Sequence, residues 1–265
     1  MRSIRTILLA AAATAATLGT ASAQEGDSAK TWTEVRIGTE GAYPPFNYTD
    51  ASGQVIGFDI DIANALCAEM KVTCTFVTSD WDGIIPALQN NRFDAVIASM
   101  SITPEREQQV LFTNKYYNTP GALAVPKDST IADTSPASLS GKAIGAQGST
   151  THSQAVQKFF PDADVRIYPT AEEYKLDIEN GRLDAVSDDV VVLNEWLQSD
   201  AGACCKLLGT LPADEEIYGR GAGIALRKGD QKLKGMFDEA IVAIRANGTY
   251  KTIQDKYFPF DVYGQ

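Results

Sequence analysis

Few side chains in this sequence have types and spacings that could carry out catalysis. The 265-residue chain holds a single histidine, His152, and we find no nucleophile and base at a spacing typical of covalent catalysis. Asp188 and Asp189 could act as an acid–base pair, but neighbours on an extended strand point to opposite faces. The distribution of reactive side chains therefore favours a binding protein over an enzyme.

The first 23 residues have the composition of a secretory signal. Arg2 and Arg5 form a basic start, residues 7–18 are mostly apolar, and Ala21-Ser22-Ala23 offers small residues for a signal peptidase. This segment is too short to be a stable membrane span. We predict that residues 1–23 are removed on export.

The exported chain is strongly acidic. The full sequence has 23 basic and 34 acidic side chains, and removal of Arg2 and Arg5 takes the net charge from −11 to −13. This balance argues against nucleic acid and anionic membranes as partners, because both require basic surface. After residue 23, no apolar run approaches the ~20 residues that a membrane span needs.

The four cysteines indicate disulfide chemistry rather than a metal site. They lack the spacing of zinc ligands, and His152 lies far from Cys67 and Cys74 in sequence. The sequence predicts neither a metal nor a cofactor. An oxidising compartment favours disulfides, and a Cys67–Cys74 bond would join a helix end to the next strand. The adjacent Cys204 and Cys205 are either two free thiols or a strained vicinal pair.

Short strands and helices alternate along the mature chain, which predicts an α/β protein with parallel sheets. Strands are expected at residues 35–39, 72–77, 94–98, 122–125, 143–146, 165–168 and 183–187, and helices at 59–70, 83–90, 151–160, 171–180, 189–198, 231–246 and 249–257. Asp59 is expected to cap the first helix. Residues 180–186 echo residues 91–96, which suggests two lobes built alike. Ligands of such sheets bind beyond the carboxyl ends of the strands.

The stretch Gly57-Phe58-Asp59-Ile60-Asp61-Ile62 resembles the signature of bacterial solute-binding protein family 3. Its members include the lysine/arginine/ornithine-binding and histidine-binding proteins of ABC importers. Further similar segments cover nearly all of the mature chain: residues 40–46, 81–88, 99–106, 148–150, 183–185, 248–250 and 256–258. Cys67 and Cys74 match the family disulfide, which we predict to be the one disulfide.

The resemblance implies a two-lobed periplasmic-binding-protein fold of type II, hinge-linked, with the ligand in the cleft. Residues 24–118 would form the first part of lobe one, residues 119–218 lobe two, and residues 219–265 the return to lobe one. Closure of the hinge around a ligand is a known class of domain motion. The implied protein is a periplasmic monomer that delivers a free amino acid to a membrane permease.

The resemblance also assigns residues to the two ends common to all amino acids. Arg106 would bind the carboxylate, because a guanidinium meets a carboxylate in a planar two-bond geometry. Ser101 and Thr150 would add donors, Thr150 from the positive end of a helix. Asp188 would bind the α-ammonium together with Ser99, and one of the adjacent pair Asp188 and Asp189 would cap the next helix.

Four further positions would contact the ligand side chain. Glu40 matches a position where binders of cationic amino acids carry an acid, usually Asp. Tyr43 and Trp81 would flank the ligand stem, since aromatic faces attract cations by about 0.5–2 kcal/mol. Ala98 stands where the lysine/arginine/ornithine binders have Ser. These residues favour arginine, with lysine, ornithine and histidine behind it.

Three other functions are compatible with parts of the pattern. Opine-binding proteins also carry an acid near Glu40, a Trp near Trp81 and an Ala near Ala98, but Asp188 suits a primary ammonium better. A few proteins with this fold are dehydratases, which the missing nucleophile–base pair disfavours. A receptor domain for signalling would need a separate output partner.

Overall fold

The computed structural model describes residues 31–264 as two α/β lobes, each built on a five-stranded sheet. The predicted export signal lies outside the described residues. Within residues 31–264, no helix combines the length and apolar character that crossing a bilayer requires.

Thirteen strands are assigned within residues 31–264. In chain order they are β1 (Glu34–Thr39), β2 (Ala42–Tyr43), β3 (Asn47–Thr49), β4 (Val55–Ile56), β5 (Thr73–Thr78), β6 (Ala95–Val96), β7 (Leu111–Tyr117), β8 (Gly121–Pro126), β9 (Ala143–Gln147), β10 (Asp164–Tyr168), β11 (Ala185–Asp189), β12 (Cys205–Thr210) and β13 (Ala222–Leu226).

Ten α-helices accompany the strands in the described part of the chain. They are α1 (Phe58–Met70), α2 (Ile84–Gln89), α3 (Pro104–Glu107), α4 (Pro136–Leu139), α5 (Thr151–Phe159), α6 (Ala171–Glu179), α7 (Val190–Leu197), α8 (Glu215–Tyr218), α9 (Gln231–Ala246) and α10 (Thr249–Tyr257). Two 3₁₀ turns cover Trp81–Gly83 and Ala201–Cys204.

The two main sheets have the same mixed topology. Lobe one has the strand order β5-β1-β6-β13-β7, and lobe two has the order β10-β9-β11-β8-β12. In each sheet the first three strands are parallel, and the other two sheet contacts are antiparallel. The parallel sheets expected from the alternation of strands and helices are therefore mixed, with three parallel strands each. Strands β13 and β8 enter their sheets from the other lobe, so no crossover helix forces them to run parallel to their neighbours.

Most predicted elements are present, but three of the five-residue or longer strands were missed. They are β7, β12 and β13. Strand β13 reads Ala-Gly-Ile-Ala-Leu and is buried at every position, so it shows no alternation of polar and apolar residues. A small three-stranded sheet, β2-β3-β4, was also missed because its strands have only two or three residues each.

The chain passes between the lobes at two adjacent places. It leaves the first sheet after Tyr117 and returns to it at Ala222, and these two residues are paired across β7 and β13. Gly219 lies on the returning segment with φ +68°, and a Cβ there would stand 2.0 Å from the carbonyl oxygen of Ile102. Only glycine fits both this conformation and this close approach.

Buried apolar side chains form four clusters against the faces of the two sheets in the described part of the chain. In lobe one, α1, α9 and α10 pack together and contribute Phe58, Leu66, Phe237 and Tyr250 to one buried cluster. In lobe two, α6 and α7 pack on one face, with Tyr174 and Trp196 in the cluster, whereas α5 packs on the other. The helices and their apolar clusters cover the faces of the sheets, which leaves the strand ends to line the cleft.

The cysteines form two disulfides. Cys67 is bonded to Cys74, as the resemblance implies, and joins α1 to β5. Cys204 is bonded to Cys205, so the prediction of one disulfide is wrong. The backbone changes abruptly at this point, from a 3₁₀ turn ending at Cys204 to the extended β12, which brings the neighbouring sulfurs together. No free cysteine occurs in the described residues.

We expect replacement of both Cys67 and Cys74 by Ser to lower the free energy of unfolding by about 2–3 kcal/mol, because the bond restricts the unfolded chain. Urea unfolding of the mature protein followed by tryptophan fluorescence measures the change. The matched control replaces Cys204 and Cys205 by Ser, and we expect a smaller loss because that bond joins neighbouring residues. An equal or larger loss in the control would contradict this account.

Candidate functional site

A cavity between the lobes brings together all of the residues that the sequence assigned to a ligand. It is lined by Glu40, Tyr43, Trp81, Ala98, Ser99, Ser101, Arg106, Thr150 and Asp188, together with Gln147, Thr151 and His152. The last three were missed. Residues 31–264 contain no group of three or more His, Cys, Asp or Glu side chains placed to hold a metal ion.

Arg106 is positioned by the short helix α3. Thr103 caps this helix, and its hydroxyl accepts a hydrogen bond from the Arg106 N–H at 3.3 Å. The guanidinium is buried and donates to the carbonyl oxygens of Ser101 and Ser149, each at 3.1 Å. Burial lowers the pKa of Arg106 to about 10, so the group stays charged at neutral pH. The arrangement presents a fixed cation to the cavity.

Trp81 supports this cation from one side. Its ring centre lies 5.2 Å from the guanidinium carbon of Arg106, within the range of cation–π attraction. The indole N–H donates to the carbonyl oxygen of Ser149 at 3.1 Å, so Trp81 also links the two lobes. The sequence predicted that Trp81 contacts the ligand stem, but it did not indicate the contacts of Trp81 with Arg106 and Ser149.

Asp188 carries the buried negative charge of lobe two. It lies within β11, which ends at Asp189, so the predicted strand over residues 183–187 stops two residues too early. The carboxylate accepts hydrogen bonds from the Tyr43 hydroxyl at 2.5 Å, the Asp189 N–H at 2.7 Å and the Tyr174 hydroxyl. Tyr43, expected to flank the ligand stem, thus also binds Asp188 across the cleft.

Asp189 is not among the residues that line the cavity with Asp188, and it caps α7, as predicted for one of this pair. Its carboxylate accepts from the Val191 N–H at 2.7 Å and from the Thr119 hydroxyl. Burial raises the pKa of Asp189 to about 7, although both hydrogen bonds oppose the shift. The adjacent acids therefore have different tasks, with one in the cavity and the other at a helix start.

Glu40 lies directly after β1 and faces lobe two. Its carboxylate accepts a hydrogen bond from the side-chain amide of Gln147 at 2.6 Å. Burial raises the pKa of Glu40 to about 7, the hydrogen bond from Gln147 opposes this, and the charge of Asp188 adds to it. A cation close to Glu40 would favour its charged form.

Gln147 is held by both lobes. Its amide nitrogen also donates to the carbonyl oxygen of Pro169 at 3.1 Å, and its side chain is buried. Gln147 is the last residue of the buried strand β9. The rule that ligands bind beyond the carboxyl ends of parallel strands could have identified it from the sequence.

Ser99 is fixed by a buried acid of lobe one. Its backbone has φ 55°, its hydroxyl donates to Asp59 at 3.0 Å, and its N–H donates to the Tyr116 hydroxyl at 3.1 Å. Asp59 also accepts from Tyr116 at 2.8 Å and from Asn47 at 2.8 Å. The prediction that Asp59 caps α1 is wrong, since Gly57 precedes the helix and the carboxylate holds Ser99 instead.

Thr150 caps α5 and closes the loop after β9. Its hydroxyl accepts from the Ser153 N–H at 3.1 Å and donates to the Gln147 carbonyl oxygen at 2.7 Å. The predicted helix cap is therefore present, and the Thr150 hydroxyl donates and accepts its hydrogen bonds within lobe two. The cavity is bordered here by the first turn of α5, through Thr151 and His152, where backbone N–H groups favour anions.

Comparisons with known proteins place the chain among solute-binding proteins. Residues 35–260 match the family described as bacterial extracellular solute-binding proteins, family 3. The L-arginine-binding protein of Pseudomonas aeruginosa is 48% identical over 233 residues, which cover 87% of this chain and 90% of that protein.

Solved structures show the same fold. An arginine-specific periplasmic binding protein of Salmonella typhimurium matches with a TM-score of 0.78 at 34% identity, over 85% of this chain and 99% of that one. An ancestral amino acid-binding protein, described as a precursor of cyclohexadienyl dehydratase, matches with a TM-score of 0.75 at 33% identity, over 85% of this chain and 95% of that one. The family model and these matches show that the chain belongs to the bacterial extracellular solute-binding proteins of family 3.

Proposed function

We propose that this chain is the periplasmic substrate-binding protein of an amino-acid ABC importer and that it binds a free cationic amino acid, arginine first. In this proposal residues 1–23 are removed on export, and the mature monomer closes around its ligand and delivers it to a membrane permease. Lysine, ornithine and histidine follow arginine in affinity. The protein does not transform its ligand.

One observation carries the proposal: a buried guanidinium and two carboxylates line the same cavity. Arg106 supplies the positive charge, and Asp188 and Glu40 supply the negative charges. A neutral amino acid would balance Arg106 and Asp188 and leave Glu40 without a cation. A cationic amino acid has one negative and two positive groups, so it complements all three residues.

Each end of the ligand has its own group of contacts. Arg106, Ser101 and Thr150 would bind the carboxylate, whereas Asp188 and Ser99 would bind the α-ammonium. Glu40 would bind the cationic side chain, with Tyr43, Trp81 and Ala98 around its stem. Hydrogen bonds to the protein fix the side chains of Arg106 and Ser99. These fixed orientations support the assignment of separate residues to the carboxylate and the ammonium of the ligand.

The same division supports closure of the lobes around the ligand. We assign residues 24–118 and 219–265 to lobe one and residues 119–218 to lobe two, with the hinge at the two crossings. Arg106 and Glu40 then lie in lobe one and Asp188 in lobe two. A ligand that contacts both lobes favours the closed form, because only differential affinity shifts such an equilibrium.

An opine is the second candidate ligand, since Glu40, Trp81 and Ala98 also fit that class. The surroundings of Asp188 favour the free amino acid. The carboxylate is 3% exposed and is enclosed by the hydroxyls of Tyr43 and Tyr174, which leaves little space for a substituent on the α-nitrogen.

A thermal-shift and calorimetric screen of all amino acids, ornithine and representative opines tests the proposal. We expect arginine to raise the melting temperature most, since a ligand at a hundredfold excess over its Kd stabilises by about 2.7 kcal/mol. Mass analysis of the recovered arginine should show it unchanged. Preference for an opine or a neutral amino acid, or turnover of the ligand, would overturn the proposal.

Replacement Arg106→Ala should weaken the binding of arginine and glutamine alike, by about thirtyfold or more, because loss of one partner of a buried charge pair costs about 2–5 kcal/mol. Arg106→Lys should also bind poorly, since an ammonium cannot form the planar two-bond contact. Calorimetry measures both variants, with Arg166→Ala, an exposed arginine of lobe two, as the control. Retention of near-normal affinity by folded Arg106→Ala protein would refute the carboxylate assignment.

Replacement Glu40→Gln should weaken arginine by about a hundredfold, because the cationic side chain loses a buried anion of the same shape. Affinity for glutamine should change little, so the ratio of the two Kd values is the decisive quantity. Glu69→Gln removes an exposed carboxylate from α1 and serves as the control. Equal losses for arginine and glutamine would show that Glu40 does not contact the ligand side chain.

A further inference from the structure

The single histidine of the chain, His152, lines the ligand cavity but is not among the proposed ligand contacts. His152 is the second residue of α5, and its side chain is 15% exposed. The Nε2 atom lies 3.4 Å from Oδ1 of Asp188. The Nδ1 atom is buried without a hydrogen-bond partner. A buried imidazole with one unused nitrogen, next to a proposed ammonium ligand, needs an explanation beyond packing.

Charged and titratable groups surround His152 on several elements. Asp188 approaches from β11, Arg106 acts on it from α3, and the ring of Tyr218 on α8 lies 6.0 Å away. Other titratable side chains share the two cavities that His152 lines: Glu40, Tyr43, Tyr117 and Asp189. Among these groups, Asp188 is the one whose carboxylate stands against the imidazole.

Burial lowers the pKa of His152 below its usual range, Arg106 lowers it further, and Asp188 opposes both effects. The imidazole is therefore neutral at neutral pH, and it takes up a proton only at a pH below the usual range of histidine. A charged imidazole would face the same carboxylate that the ligand's ammonium is proposed to bind. Two cations cannot both be neutralised by one carboxylate that already accepts three hydrogen bonds.

We propose that His152 belongs to the ligand site as an internal competitor for Asp188: the neutral imidazole accompanies the bound α-ammonium, and the protonated imidazole takes its place. This inference rests on the proposed function, since it requires an amino acid whose ammonium binds Asp188. It applies to every amino acid that binds, because the α-ammonium is common to all of them.

The direction of the pH effect follows from linkage. The bound ammonium repels a proton on His152, so the pKa of His152 is lower in the complex than in the unliganded protein. The affinity for the ligand is then constant at pH values above both pKa values of His152. It falls by up to about tenfold per pH unit as the pH drops below the pKa of His152 in the unliganded protein. Glu40 adds a separate loss in acid for cationic ligands, since its protonated form cannot pair with them.

The single histidine permits a direct test by NMR. The imidazole signals of the mature, tag-free protein are titrated from about pH 8 to about pH 5, without ligand and with saturating L-arginine. We expect the pKa of His152 to be lower in the complex. An unchanged pKa would show that His152 and the ammonium do not compete, and a raised pKa would place the imidazole at the carboxylate end of the ligand.

Calorimetry of the variant His152→Gln supplies the second measurement. The Kd for arginine is compared over the same pH range in wild-type and variant protein. The loss of affinity in acid that is due to protonation of Glu40 should occur in both proteins. The additional loss that is due to protonation of His152 should be absent from the variant. Identical pH profiles would overturn the inference. Absence of arginine binding by wild-type protein at every pH would instead contradict the proposed function, so the two failures are distinguishable.

Discussion

The burial of Asp188 between two lobes is the constraint on which the cleft depends. A carboxylate that is 3% exposed must be compensated by hydrogen bonds, because loss of hydration is otherwise too costly. Tyr43 of one lobe and Tyr174 of the other both donate to it. The two lobes therefore meet at a negative charge whose partners come from both sides, and any movement between the lobes changes the surroundings of this charge.

A second buried acid, Asp59, connects several segments within lobe one. Asp59 receives hydrogen bonds from Asn47, Ser99 and Tyr116, which lie on three different segments. Burial raises the pKa of Asp59 to about 6, while these bonds stabilise the charged form. Because Asp59 holds Ser99 at φ 55°, the backbone after β6 is turned toward the cavity rather than continued as a strand. Asp59 of the signature motif thus positions Ser99 in the cavity, although Asp59 itself does not line the cavity.

Local signals in the sequence were enough for some residues and not for others. The caps at Thr150 and Asp189 follow from short-range chemistry, since a side-chain oxygen before a helix has a nearby N–H to accept. The contacts of Gln147 with Glu40 and of His152 with Asp188 join residues 107 and 36 positions apart, so no local pattern contains them. The antiparallel direction of β8 was not predicted for the same reason, because it depends on where the chain crosses between the lobes.

The proposed preference for a cation rests on the two acids of the cavity, Asp188 and Glu40, acting together. The two carboxylates repel each other, and the charge of Asp188 raises the pKa of Glu40, so Glu40 is harder to ionise beside Asp188. A ligand with one positive group near each acid removes this repulsion, whereas a neutral amino acid removes only the part at Asp188. The hydrogen bond from Gln147 holds lobe two against Glu40, so the proposed selectivity for cationic amino acids would arise when the lobes are closed. The open form, in which water separates the two acids, would distinguish cationic from neutral ligands much less.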